Sequence, residues 1–227
     1  MFNPLSITFL SFYVGVSFAN LVFCSLENER WRKITKPFCM LFLLGFVFST
    51  STSQYWIIWA LVFAWIGDVL FLFKKQKIYV AIGTVSFLIS HIFYVLEIVS
   101  LLQNNGDPNA YQVWCQAMFF SPLLLLPGLP LCHYLSKRDW KLTILGSCYQ
   151  AVLLCLFSST VLALCFGYSI FLVMVLFGAA LYYVSDMFNA YTLYRKKIKK
   201  RELIIMSTYL TAQALLVLGM LLTLAQG

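Results

Sequence analysis

The sequence predicts an all-α, polytopic transmembrane helix bundle, and its composition and long apolar segments are the basis for that prediction. Of the 227 residues, 62% are hydrophobic and 11% are charged, and the mean hydropathy is +0.86. Such values lie far outside the range of a water-soluble domain. Long continuous apolar segments favour helices over membrane β-strands, because a lipid-exposed backbone must satisfy its own hydrogen bonds. We therefore expect one integral membrane domain over residues 1–227, with about eight spanning helices.

The apolar segments set the expected helices in order along the chain. They cover residues 4–24, 34–50, 55–73, 78–102, 113–134, 142–164, 167–194 and 203–224. The first segment is predicted to stay as a helix rather than to be cleaved as a signal peptide. No Lys or Arg precedes its apolar core, and the apolar run continues to Cys24, long enough to span a bilayer.

Basic residues predict how the helices are oriented in the membrane. All 16 Lys and Arg residues lie at the connections after the first, third, fifth and seventh predicted helices. Since cytoplasmic loops are rich in Lys and Arg, both termini are expected on the non-cytoplasmic side. The net charge of +8 then reports orientation rather than nucleic-acid binding. The expected location is the inner membrane for a bacterial protein and the endoplasmic reticulum for a eukaryotic one.

Three acidic residues fall inside the predicted helices, where a charge is costly and usually functional or paired. Asp68 and Asp186 are expected roughly 9–14 Å inside the cytoplasmic boundary, from the helical rise per residue. Glu97 lies near the other end of its helix, and we expect its side chain to snorkel toward the surface. An alternative for the two aspartates is a structural role, in which they hydrogen-bond neighbouring helices.

The two aspartates have similar neighbours in the sequence. Gly67 precedes Asp68 in the third helix, and Ser185 precedes Asp186 in the seventh. The four-helix separation predicts two parallel halves related by an axis along the membrane normal. In that arrangement the two carboxylates would meet near the centre of the bundle.

Other polar residues are expected to share the interior with the aspartates. In the fourth helix, Gly83, Phe87, His91 and Tyr94 fall on one stripe at helical spacing. The seventh helix presents Gly178, Tyr182, Ser185 and Asn189, and the eighth presents Tyr209, Ala212 and Gln213. Lys36 lies at the cytoplasmic start of the second helix, where it either sets topology or holds a lipid phosphate. With two histidines and no H-x-x-x-H pair, neither a catalytic metal nor another cofactor is expected.

These residues together resemble a known family. Lys36-Pro37, Gly67-Asp68, the run from Gly83 to Tyr94, Gly178-Ala179 with Ser185-Asp186, and Tyr209-x-x-Ala212-Gln213 are similar to the YhhN family of lysoplasmalogenases. The resemblance covers the second to eighth predicted helices. It implies hydrolysis of the vinyl-ether bond of lysoplasmalogens, which gives a fatty aldehyde and a glycerophospho-base. The implied partners are membrane lipids and a lysophospholipid with an alkenyl chain.

The chemistry of a vinyl ether is compatible with the polar residues of the helices. Protonation of the β-carbon gives an oxocarbenium ion that water attacks, so an acid and a base are needed. Two close carboxylates resist double ionisation and share a proton. We hypothesise that Asp68 and Asp186 divide the roles of proton donor and water activator. The expected substrate-binding residues are Lys36, His91, Tyr94, Ser185, Asn189, Tyr209 and Gln213.

Two other functions use the same polar residues. A proton-coupled transporter or channel also places Asp and His inside its helices. A non-catalytic membrane scaffold would use them for stability alone. The sequence leaves the head-group preference and the oligomeric state open.

Overall fold

The structure is a computed structural model that describes residues 2–50, 55–73, 76–104, 108–119, 130–134, 139–166, 169–194 and 198–226. Over these ranges it is helical and contains no strand, which confirms the predicted all-α class. The helices are α1 (Pro4–Ser25), α2 (Glu29–Phe48), α3 (Tyr55–Leu70), α4 (Lys77–Asn104), α5 (Pro108–Phe119), α6 (Trp140–Cys165), α7 (Leu172–Tyr194) and α8 (Arg201–Leu224). A 3₁₀ turn, Phe71–Phe73, follows α3, and residues 130–134 are also helical.

Two helix boundaries differ from the sequence prediction. Helix α2 begins at Glu29, before the predicted position 34, because its charged first turn is helical as well. The Asn28 side chain accepts a hydrogen bond from the Trp31 backbone N–H, which caps this turn. The predicted fifth helix, 113–134, corresponds to α5 and to residues 130–134, and its middle lies outside the described residues.

Five of the described helices are long and apolar enough to cross a membrane: α1, α4, α6, α7 and α8. Helix α3 is apolar but shorter. Helix α2 carries several Lys and Arg residues in its first half. These helices support an integral membrane protein, while the eight-span count and the side of the termini stay predictions.

The distribution of polar residues is the reverse of that in a soluble protein. Large apolar side chains such as Phe18, Trp59 and Phe177 are exposed on the outside of the bundle. Polar side chains such as Asn20 and Gln213 are fully buried. A surface that faces lipid has this apolar character, and the buried polar groups must then find hydrogen-bond partners inside the bundle.

Glycines allow the helices that carry the two aspartates to pack closely. Helix α3 packs against α4, and α7 packs against α8. A Cβ atom on Gly67 would lie 2.8 Å from the Phe87 ring of α4, and one on Gly178 would lie 3.0 Å from the Ala212 carbonyl oxygen of α8. Small residues at such contacts let membrane helices approach closely. Asp68 therefore directly follows one tight helix contact, and Asp186 lies about two turns after the other along α7.

Candidate functional site

Asp68 of α3 forms an ion pair and a hydrogen bond that together join three helices. Its side chain is 1% exposed, and one carboxylate oxygen, Oδ1, lies 2.9 Å from Lys36 Nζ of α2. The other oxygen, Oδ2, accepts a 2.8 Å hydrogen bond from the Tyr209 hydroxyl group of α8. A buried carboxylate needs such compensation, because its desolvation costs several kcal/mol. Both oxygens of Asp68 therefore already have partners in the structure.

Asp186 has a different environment on α7. The Tyr149 hydroxyl group of α6 donates a hydrogen bond to its Oδ2 atom. In the described part of the chain, no cation contacts this carboxyl group as Lys36 contacts Asp68. Among the described residues, one carboxyl group thus has a counter-ion, and the other, which is partly exposed, has none.

A cavity of about 120 Å³ gives access to Asp186. It lies between α4, α6 and α7, and Phe71 and Cys132 also line it. Most of its wall is apolar, and the polar residues that line it include Thr84, Tyr149, Gln150, Tyr183, Asp186 and Asn189. A cavity with an apolar wall and a few polar groups suits an amphiphilic ligand.

His91 lies next to the hydrogen bond between Tyr149 and Asp186. Its Nδ1 atom is 2.6 Å from the Phe87 carbonyl oxygen, which can only accept, so Nδ1 carries the proton. The other ring nitrogen, Nε2, is buried and has no hydrogen-bond partner among the described residues. The imidazole packs edge-on against Tyr182 and Tyr149, with ring centroids 4.3 and 5.4 Å apart. A buried acceptor without a partner costs about 1–3 kcal/mol, so this nitrogen is a candidate for a functional contact.

Comparison with known protein families identifies the family of the chain. The model of the YhhN family matches residues 31–220, from the first half of α2 to the last turns of α8. The chain belongs to the YhhN family. The match confirms the resemblance recognised in the motifs, and it includes both aspartates and Lys36. No curated protein and no solved structure matches the chain.

Two predicted site residues of this YhhN protein lie behind the cavity rather than in its wall. The Tyr94 hydroxyl group donates a 2.7 Å hydrogen bond to Gln213 Oε1, and Gln213 Nε2 donates to the Tyr182 hydroxyl oxygen at 3.3 Å. All three side chains are fully buried. Tyr182 also packs edge-on against Tyr209, which binds Asp68. The group therefore supports the side chains around both carboxylates.

The remaining predicted residues on α7 have distinct positions. Ser185 donates a 3.1 Å hydrogen bond to the Ile205 carbonyl oxygen, which connects α7 to α8. Asn189 lines the cavity and accepts a 2.9 Å hydrogen bond from Arg201 Nη2. Of these two residues, only Asn189 is placed to contact a ligand in the cavity.

Lys36 also lines a second, smaller cleft of about 50 Å³. Arg32, Lys33 and Glu202 contribute to the same cleft, and an ion pair joins Arg32 to Glu202. Because Phe71 and Asn189 line both spaces, the basic cleft adjoins the cavity that contains Asp186.

The structure corrects one expectation and adds two residues. Glu97 is 3% exposed, so the prediction that it snorkels to the surface is wrong. Helix α4 continues to Asn104, which leaves Glu97 deeper within the helix than hydropathy indicated. Sequence reasoning also missed Tyr149 and Gln150, which line the cavity. Their only signal was a pair of adjacent polar side chains within an apolar helix.

Proposed function

We propose that this protein is a membrane-embedded hydrolase that cleaves the vinyl-ether bond of lysoplasmalogens to a fatty aldehyde and a glycerophospho-base. The observation that carries the proposal is the Asp186 carboxyl group, which Tyr149 positions in the wall of a mostly apolar cavity. YhhN membership and the resemblance of the motifs to lysoplasmalogenases support the choice of substrate.

In the proposed reaction, Asp186 donates its proton to the β-carbon of the alkenyl chain. The double-bond electrons form the new C–H bond, and an ether-oxygen lone pair stabilises the resulting oxocarbenium ion. The Asp186 carboxylate then accepts a proton from the water that attacks the α-carbon. Return of this proton to the ether oxygen breaks the C–O bond of the hemiacetal and releases the glycerol hydroxyl group. The hemiacetal hydroxyl group gives its own proton to the Asp186 carboxylate as its C=O bond forms, which releases the aldehyde. One water is consumed, and the enzyme recovers its proton.

Asp68 has an electrostatic role in this proposal. Lys36 is its counter-ion, and both its oxygens are engaged, so Asp68 carries the negative charge while Asp186 carries the exchangeable proton. A fixed negative charge near the cavity stabilises the positive charge of the oxocarbenium ion, because such interactions are strong in a low-dielectric site. This assignment gives the two carboxylates different tasks, as their different surroundings favour.

The cavity that contains Asp186 and the adjoining basic cleft together orient the substrate in this proposal. The alkenyl chain contacts the apolar wall, and the glycerol part lies toward Asn189, which faces both the cavity and the basic cleft. Lys36 lies in that cleft with its side chain 17% exposed, where it attracts the phosphate group. The ends of the substrate thereby determine which carbon faces Asp186.

The test is aldehyde release, measured by mass spectrometry, from a 1-alkenyl lysophospholipid incubated with purified protein in detergent. Asp186→Asn should lower turnover by about 10²–10⁴-fold, the usual contribution of general acid–base catalysis, and Asp68→Asn should also lower it strongly. Asp139→Asn is the matched control, because Asp139 is an exposed helix cap that Asn replaces well. A 1-alkyl lysophospholipid should give no aldehyde. Turnover by Asp186→Asn above about a tenth of wild type, well outside that range, would contradict the mechanism.

The rival function from the sequence is a proton-coupled transporter or channel. The same purified protein, reconstituted in liposomes, would then show solute or proton flux without aldehyde formation. A hydrolase should release aldehyde in detergent with no gradient across a membrane.

A further inference from the structure

Gln150 has an unusual set of hydrogen-bond partners for a buried amide. It follows Tyr149 on α6, is 5% exposed and lies in the wall of the cavity. Its Nε2 atom donates to the Met187 sulfur at 3.1 Å, and its Oε1 atom accepts from the Cys132 thiol at 3.5 Å. Among the described residues, both ends of the amide therefore hydrogen-bond only to sulfur.

Sulfur is a weak partner in both of these contacts. A thioether is a weak acceptor, and a thiol is a weak donor. A buried amide is poorly compensated by them compared with nitrogen or oxygen partners. A ligand group that both donates and accepts a hydrogen bond would satisfy the amide better, and a hydroxyl group does both.

The position of Gln150 relates it directly to Asp186. Tyr149, the preceding residue, donates to the Asp186 carboxylate, and Met187 is the next residue after Asp186. The amide and the carboxyl group therefore lie in the same part of the cavity wall. In a lysoplasmalogen, the hydroxyl group on the second glycerol carbon is only a few bonds from the alkenyl carbon that takes the proton.

We propose that Gln150 binds the free hydroxyl group on the second glycerol carbon of the substrate, and that this contact makes the site selective for lysolipids. The inference rests on the proposed function. An ester at that carbon has no donor for Gln150 Oε1. Selectivity against two-chain lipids thus follows from the hydrogen bonding of this amide.

The first experiment compares a 1-alkenyl lysophospholipid with its 2-deoxy analogue, which lacks the hydroxyl group. Wild type should prefer the hydroxyl substrate by about 10–100-fold in kcat/KM, since a site built to bond a hydroxyl group rejects the analogue without it. Gln150→Leu should reduce this preference to about threefold or less, mainly by losing activity on the hydroxyl substrate. Gln112→Leu, the same change at an exposed position on α5, should keep the wild-type preference. Gln150→Asn keeps a neutral amide on a shorter side chain, so it should fold and retain a reduced preference.

The second experiment separates this inference from the proposed function. A 1-alkyl lysophospholipid that cannot be hydrolysed and its 2-deoxy analogue are added to the protein in lipid nanodiscs, and the ligand-induced rise in Tm is compared. Wild type should respond more to the hydroxyl ligand, and Gln150→Leu should respond equally to both. If wild type shows this selectivity but no lipid yields aldehyde, the proposed function fails and the Gln150 contact stands. The inference is overturned if wild type does not distinguish the paired lipids in either experiment. It is also overturned if the Gln150→Leu variant distinguishes them as well as wild type does. In both cases aldehyde release would still support the proposed function.

Discussion

Removing the lysine of the ion pair between Lys36 and Asp68 should destabilise the protein more than removing the lysine of the exposed pair between Lys33 and Glu29. Lys36→Met keeps the length of the side chain but removes the charge that lies 2.9 Å from the Asp68 carboxylate. Asp68 would then be a buried charge with one hydrogen bond, from Tyr209, and removing one partner of such a pair costs about 3–5 kcal/mol. Asp68→Asn should cost less, because the Lys36 side chain is 17% exposed and can turn its ammonium group toward the cleft.

The double variant decides whether this reasoning is right. Once Asp68→Asn has made the buried group neutral, loss of the ammonium group no longer leaves a charge uncompensated. Lys36→Met combined with Asp68→Asn should therefore be more stable than Lys36→Met alone. A coupling of roughly 2 kcal/mol is expected for neighbours that interact this directly. The assay is reversible unfolding in mixed micelles, and Lys33→Met is the matched control, since its pair with Glu29 is exposed and is expected to contribute about 0–1 kcal/mol. If the two single changes simply add, or if Lys36→Met is as stable as wild type, the pair is not the buried, coupled interaction described above.

Two further predictions concern packing and topology. Gly219→Ala should lower the Tm, because a Cβ atom there would lie 2.7 Å from Val175 Cγ2 and 2.9 Å from the Phe171 carbonyl oxygen, whereas Gly15→Ala meets nothing within 4 Å and should leave the Tm nearly unchanged. Equal thermal stability of the two variants would show that α7 and α8 do not need this close contact. Lys199→Cys, in a protein whose seven native cysteines are replaced by Ser, should react with a membrane-impermeant maleimide only from the cytoplasmic side. Labelling from the opposite side in intact vesicles would invert the predicted topology.

The sequence was most informative where composition and hydropathy decide the outcome. Helices were predicted because apolar segments in lipid must satisfy their own backbone, and the described residues are helical in the expected regions. Helix ends were less accurate, since hydropathy marks the apolar part of a helix whereas capping residues such as Asn28 determine where it begins. Asp68 and Asp186 could be identified as candidate site residues from the sequence, because a carboxylate within an apolar segment is energetically costly and is usually functional or paired.

Which groups meet those carboxylates was decided only by the tertiary structure. Tyr149 is 37 residues from Asp186, and Tyr209 is 141 residues from Asp68, so no local spacing relates them. The sequence predicted two similar aspartates, but packing gave one of them a lysine partner and the other a place in the cavity wall. Gln150 was likewise not predicted to line a cavity, because its contacts with Cys132 and Met187 form across different segments of the chain. Helical periodicity determines which face a residue occupies, whereas the partner across that face depends on how distant helices approach one another, here through Gly67 and Gly178.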